Sequence, residues 1–284
     1  MRTHFPAIAG ALVAASIAIG SVGTALAADA DLQSILAARP AEDVARDVYR
    51  NPAETLAFFD VQPGMSVVET LPGRGWYTRV LVPYIGAGGT LYGAVYAIDL
   101  YQRVFGERWE QFSERIESFP QRFPGEAEAY SDTPPEVDTF TIGQAPDALN
   151  GQLDRVLHIR SLHHLNRFEP HLLDEAAAEA FALLKPGGIA GIVQHRAPES
   201  SSDQWAGGNN GYLKQSRVIE AFTGAGFVLD ASSELNANPK DQPTEADRVW
   251  RLPPSLRVDD DAVREANLAI GESDRMTLRF VKPE

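Results

Sequence analysis

The order of apolar and polar positions predicts alternating strands and helices from residue 51 to the C-terminus. Short, nearly continuous apolar runs at Met65–Leu71, Thr90–Ala97, Leu153–Ile159 and Ile189–Gln194 read as strands covered on both faces. Val137–Ile142, Phe227–Ser233 and Met276–Val281 complete a set of seven. Helical patterns lie between them at Trp76–Tyr84, around Leu173–Leu184 and at Lys214–Ala225; in the second, Leu173, Ala176, Ala177, Ala180, Phe181 and Leu184 share a face. Phe105, Trp109, Phe112, Ile116 and Phe119 recur at steps of four and three, with Glu107, Glu110, Glu114 and Glu117 opposite. That spacing predicts one amphipathic helix over Leu100–Phe119, its aromatic stripe on the core. Asn51-Pro52-Ala53-Glu54 reads as a helix start, with Asn as cap and Pro in the first turn. Together these elements predict an α/β fold with a doubly wound, mostly parallel seven-stranded sheet and an antiparallel edge hairpin. A broken helical extension at 28–50, restarting at Pro40, precedes one domain at 51–284.

The first residues change the picture. Arg2 is followed by an uncharged stretch from Phe5 to Ala28, and Ala25-Leu26-Ala27 is a small-residue cleavage signal. Residues 1–27 therefore read as a signal peptide cut before Ala28, with an uncleaved anchor as the alternative. The expected mature protein is soluble and exported, with no membrane insertion: periplasmic where there is an outer membrane, otherwise secreted. The 284 residues hold 39 acidic against 25 basic side chains and no cysteine. The acidic balance argues against nucleic acid as a partner, and the missing cysteines remove disulfides, thiolate metal sites and thiol nucleophiles. The oligomeric state is not legible.

Chemistry concentrates at strand ends. Val67-Val68-Glu69-Thr70-Leu71-Pro72-Gly73-Arg74-Gly75-Trp76 is a strand ending in an acid, then a Gly-x-Gly turn entering a helix. Such glycines let backbone approach a ligand closely. The spacing of Glu69, Gly73 and Gly75 resembles the first motif of class I S-adenosylmethionine-dependent methyltransferases. Leu153-Asp154-Arg155-Val156-Leu157 resembles the family's fourth strand, Leu183 to Gly188 the turn into its fifth, and Ala225-Gly226-Phe227 the entry to its sixth. Arg39-Pro40-Ala41-Glu42-Asp43, the loop Leu71 to Thr78 and the tail Gly271 to Met276 look like a bacterial group of exported predicted methyltransferases. The resemblance implies a Rossmann-like class I methyltransferase fold and S-adenosylmethionine as cofactor. It also implies a cofactor loop of Glu69, Leu71, Pro72, Gly73, Arg74 and Gly75. Three positions depart from the pattern: Leu71 stands where the family has its first glycine, Val95 replaces the ribose-binding acid, and Gln144 is the best substitute for the acid near the adenine.

Other candidates follow the fourth and fifth strands. His163 and His195 are candidate general bases near neutral pH, and Arg160 or Arg196 a candidate anion holder. The competing reading is loop residues paired with acidic side chains. His158, inside a strand, reads as a satisfied core histidine, and His171 as a cap or solvent-facing residue. His163 and His164 are adjacent and lack metal-ligand spacing, so no metal site is expected. The long loops 197–211 and 236–257, with Trp205, Tyr212 and Trp250, read as a lid or as cover for a sheet edge. Asp274-Arg275 reads as an ion pair fixing the edge hairpin, and Asp259–Asp261 as a solvated face. The combined expectation is an exported methyltransferase acting on a small molecule, with a non-catalytic small-molecule-binding module of the same fold as the alternative.

Overall fold

The structure, a computed structural model, describes residues 31–284. The expected signal peptide and its cleavage site lie outside the described residues. Helix α1 at 31–38 is followed by α2 (Ala41–Val44), α3 (Asp47–Arg50), α4 (Pro52–Phe58), β1 (Ser66–Thr70), α5 (Thr78–Ile85) and β2 (Thr90–Val95). Next come α6 (Ile98–Phe105), α7 (Ser113–Glu117), α8 (Phe119–Glu128), β3 (Glu136–Thr141), β4 (Leu153–Ile159), α9 (Leu162–Phe168) and α10 (Pro170–Leu183). The chain closes with β5 (Leu184–Ala197), β6 (Leu213–Lys214), α11 (Gln215–Gly224), β7 (Val228–Ser233), α12 (Asp261–Ile270) and β8 (Arg275–Val281).

The strands form a sheet in the order β3-β2-β1-β4-β5-β8-β7, parallel from β3 to β5 and antiparallel at β5-β8 and β8-β7. This is the doubly wound arrangement with an antiparallel edge expected from the sequence. The two-residue β6 beside the end of β5 adds an eighth strand. Alternation across the sheet builds two apolar layers. Val68, Val156, Ala190 and Leu278 face one way, against α10 and α11. Val67, Leu157 and Val193 face the other, against α4, α5 and α8. Leu32 and Leu36 bury themselves in the second layer, so the N-terminal extension is part of the core.

Two local expectations are corrected. The single helix over 100–119 is broken: α6 ends at Gly106, with φ of 54°, a 3-10 turn spans Gly106–Gln111, and α7 and α8 follow. Residues 119–128 are helical despite their prolines. Pro120 occupies the first turn, where its missing N–H costs nothing, while Phe119, Phe123 and Ala127 are buried. Asn51 does not cap α4 through its side chain. It adopts φ 41°, and its Nδ2 donates to the carbonyl of Leu235 at 2.6 Å, fastening α4 to the loop after β7.

Candidate functional site

The chain reverses strand order between β1 and β4, and the carboxyl ends of flanking strands at such a point form a ligand crevice. The turn after β1 frames it. Gly73 and Gly75 take φ of 64° and 75°, the left-handed region that a Cβ disfavours. A Cβ on Gly75 would also lie 3.2 Å from the Tyr130 hydroxyl. Leu71, in the place of a glycine, is held at φ 51° as well, its N–H donating to Ala94. Glu69, buried at the end of β1, accepts from the Thr78 hydroxyl at 2.6 Å and so ties the strand to the first turn of α5. Burial pushes its carboxyl up to about 7, against the pull of Thr78 and Arg79. Arg79 secures the turn from outside, bonding Asp43 Oδ2 at 2.6 Å and the Arg74 carbonyl at 2.8 Å.

On the β2 side lies a hollow of about 290 Å³. Leu71, Gly73 and Val95 form its floor, Tyr101, Phe105, Phe112 and Ile116 its walls, and Arg74, Arg115 and Arg122 its rim. Phe105, Phe112 and Ile116 of the aromatic stripe thus line a pocket, because the break at Gly106 folds α6 and α7 over the glycine turn, while Phe119 is buried in the core as its periodicity predicts. Phe105 and Phe112 stack with centroids 4.3 Å apart. Flat apolar walls and an arginine rim fit the base and carboxylate of S-adenosylmethionine. Ribose hydroxyls find no acid, since Val95 lines the floor, and Asp99 and Gln144 are exposed outside the hollow. Tyr96, fully buried, donates from its hydroxyl to the Ser161 carbonyl. Because β2 and β4 flank β1, this bond bridges across the carboxyl end of β1. Below it, Thr70 donates to the Leu157 carbonyl and accepts from the Ser161 hydroxyl at 2.6 Å.

On the β4 and β5 side the lining is polar. Arg160 follows β4 at φ 60°, and His163 opens α9. His195 lies near the end of β5, its ring 5.8 Å from that of His163. The structure therefore brings together all three residues assigned to catalysis. It does not make the histidines near-neutral bases. Burial, opposed by Gln194 and aided by Arg160, pushes His163 down to about 4, and burial with the charges of His163 and Arg160 pushes His195 well below its ordinary value. Both are neutral at pH 7 and offer hydrogen bonds rather than strong basicity. His195 Nδ1 already shares a 2.5 Å bond with Ser273. His164, pushed down to about 2 by burial, stacks on Trp250. Among the described residues no group of three His, Cys, Asp or Glu side chains is placed to hold a metal.

Sequence reasoning missed the arginines behind this crevice. Glu272, just before β8, accepts from Arg46 at 2.8 Å, Arg50 at 3.0 Å and Arg275 at 3.2 Å. Burial alone would raise its carboxyl, but the arginines outweigh burial and hold it at about 2. Trp76 packs between Arg39 and Arg50, whose guanidinium carbons lie 4.9 and 4.6 Å from its ring centroid. The start 39–43, the glycine loop and the tail 271–276 were thus visible only as separate motifs, and here they meet around Trp76, Arg50 and Glu272.

Three other expectations change. Arg275 pairs with Glu272, and Asp274 with Arg196 at 2.8 Å, so no Asp274–Arg275 pair forms. Arg196 is neutralised by Glu234 and Asp274 at the edge of a separate polar hollow of about 840 Å³, which removes it as an anion holder. His158 is in the core but unsatisfied: neither ring nitrogen has a partner, and burial pushes it down to about 3. Asp259–Asp261 are exposed as expected, and Asp260 in addition caps α12, accepting from Val263 N at 2.9 Å. His171 is exposed beside Glu169. The loops 197–211 and 236–257 pack on each other through Trp205, Tyr212 and Val249 and meet α9 at Gly207 and Gly208; at Gly208, φ 100°, a Cβ would fall 2.1 Å from the His163 carbonyl.

No family model matches the chain, and no curated protein does. Solved structures share its fold. One is a chain of the complex between the Haloferax volcanii Trm112 methyltransferase activator and a candidate methyltransferase: TM-score 0.52, 17% identity, covering 90% of this chain and 98% of that one. Another, a candidate methyltransferase from Bacillus halodurans, has TM-score 0.50 and 15% identity, covering 83% of this chain and 100% of its own. The sheet order, the antiparallel edge and these likenesses place the chain in the Rossmann-like methyltransferase fold.

Proposed function

We propose that this chain is an exported S-adenosylmethionine-dependent methyltransferase acting on a small molecule. The observation that carries the reading is the glycine turn of β1 opening onto the aromatic hollow, at the switch point of a methyltransferase fold. When bound there, the cofactor supplies a sulfonium-activated methyl group. Tyr101, Phe105, Phe112 and Ile116 exclude water and hold the base, while Arg74, Arg115 and Arg122 neutralise the carboxylate. Across the end of β1, neutral His163 and His195 orient the acceptor by hydrogen bonds, so that catalysis is alignment more than proton removal. Export rests on the uncharged leader and its Ala25-Leu26-Ala27 site, and N-terminal sequencing of the secreted protein is expected to begin at Ala28.

A second reading has its own observations. Val95 in place of the ribose acid, and the Tyr96–Ser161 bridge over β1, favour a binding module that keeps the fold without catalysis. Calorimetric titration of the mature chain with S-adenosylmethionine and S-adenosylhomocysteine separates the readings. Binding weakened by Gly73→Val, with methyl transfer to a small acceptor, is the expected result. Binding without transfer would favour the module, and no heat at millimolar ligand would sink the methyltransferase assignment.

A further inference from the structure

Four arginines converge behind the β4–β5 crevice, and only one carboxylate answers them. Arg46, Arg50 and Arg275 all bond Glu272. The fourth, Arg160, donates its backbone N–H to Val193, but its half-buried side chain makes no hydrogen bond or ion pair among the described residues, and its Nε is enclosed. Enclosing a guanidinium Nε with no acceptor, with Glu272 acting on it only at a distance, is costly, and so is placing a side-chain-bearing residue at φ 60°. A strained, unpaired guanidinium at a topological switch point marks a place built for something absent from the chain.

The groups facing Arg160 define what that is. Arg46 precedes α3, Arg50 ends it, and Glu272 and Arg275 lie at the start of β8. Tyr77, buried after the glycine turn, lies within the field of Arg160, as do His163 and His195. Two acids lie within its field: Glu272, whose two oxygens are already taken by the other arginines, and Glu69, which accepts from Thr78 and whose carboxyl burial pushes up to about 7. A cationic ligand has no partner here. An apolar ligand would leave Arg160 as costly as before.

We infer that Arg160 is the recognition residue of an oxyanion site, and that the methyl acceptor is a small carboxylate or phosphate whose anionic group pairs with its planar guanidinium. The fork of N–H donors matches two oxygens of either group. His163 and His195, neutral at working pH, lie within its field with their rings 5.8 Å apart and contribute hydrogen bonds without competing charge. Only the assignment of the oxyanion to the acceptor rests on the methyltransferase reading; the site itself does not.

The test uses the whole mature chain. Thermal melts are followed against inorganic phosphate, sulfate and acetate, with chloride at equal ionic strength as the control. The wild type is expected to show a saturable rise in Tm with an oxyanion and none with chloride. In Arg160→Gln the oxyanion affinity falls by about tenfold or more, the worth of one charge-assisted hydrogen bond. Arg160→Lys keeps part of it. Without ligand, Arg160→Gln melts at or above the wild-type temperature, because an uncompensated charge is gone; a merely structural arginine would melt lower. No saturable rise, or a rise untouched by Arg160→Gln, overturns the site. Repeating the titration under saturating S-adenosylhomocysteine distinguishes the sources of the anion. An undiminished oxyanion effect supports the acceptor. Competition, with S-adenosylhomocysteine itself weakened in Arg160→Gln, overturns that assignment and gives the site to the cofactor's carboxylate. Failure of S-adenosylhomocysteine to bind, with oxyanion binding intact, defeats the methyltransferase reading and leaves the oxyanion site standing.

Discussion

The two sides of β1 solve opposite problems. Toward β2, the hollow is walled by half-buried aromatic side chains, and its charges sit on an arginine rim. Toward β4 and β5, charge is taken inside: Arg50, Arg275 and Glu272 are buried, and the nearby histidines are driven to their neutral forms. An apolar pocket costs little to keep and holds a flat ligand by area. A buried ionic network is costly and justifies itself through what it orients. On the proposed reading, the first side takes a large planar group and the second a small charged one.

The largest expected effect tests the ionic side. Glu272→Gln leaves Arg46, Arg50 and Arg275 without their shared ion-pair partner, and a loss of about 3–5 kcal/mol is expected in denaturant unfolding. A loss below 1 kcal/mol would mean that the arginines are already solvated and the two sides are alike.

Glu69, between the two sides, gives a pH signature. Its folded pKa is raised from 4.5 to about 7, so the unfolded chain releases this proton first as pH rises. Stability from this group is therefore full below about pH 4.5, declines up to about pH 7 and is flat beyond. Glu69→Gln removes the penalty and is expected to stabilise by roughly 3 kcal/mol at pH 8, with the gain vanishing near pH 4. A pH-independent difference in Tm would refute the assignment.

On the apolar side, Val95→Asp restores a carboxylate at the end of β2. It is expected to tighten S-adenosylhomocysteine by roughly tenfold in calorimetry, the value of one good hydrogen bond to a charged group. Unchanged affinity would place the ribose elsewhere. The smallest effect belongs to the bridge: Tyr96→Phe leaves the Ser161 carbonyl unpaired, at a cost of about 1 kcal/mol, and is expected to speed amide exchange at the ends of β1 and β4 selectively.

The glycine turn and the strands were legible because their signals are local. Four nearly continuous apolar runs of six to eight residues and a Gly-x-Gly after an acid specify strand, turn and helix without long-range help. Arg160, His163 and His195 were legible as candidates because they follow strands whose ends gather in any doubly wound sheet. Their protonation was not legible, since it depends on burial by loops that arrive later in the chain. The aromatic stripe at 105–119 had the right period, yet only its end at Phe119 reached the core. Its helix breaks at Gly106, and what the stripe faces was decided by how α6 to α8 lie over the glycine turn.

By itself, then, the sequence determined the alternation of strands and helices, the doubly wound order, the acidic and cysteine-free chemistry and the glycine turn. All of these follow from neighbours within a few residues or from composition. Only the tertiary structure decided that Arg50 meets Glu272 across 222 positions, that Tyr96 reaches Ser161 across β1, and that the Arg160 side chain is left without a partner. Pairing between residues so far apart is set by the packing of the whole sheet, which no local period encodes.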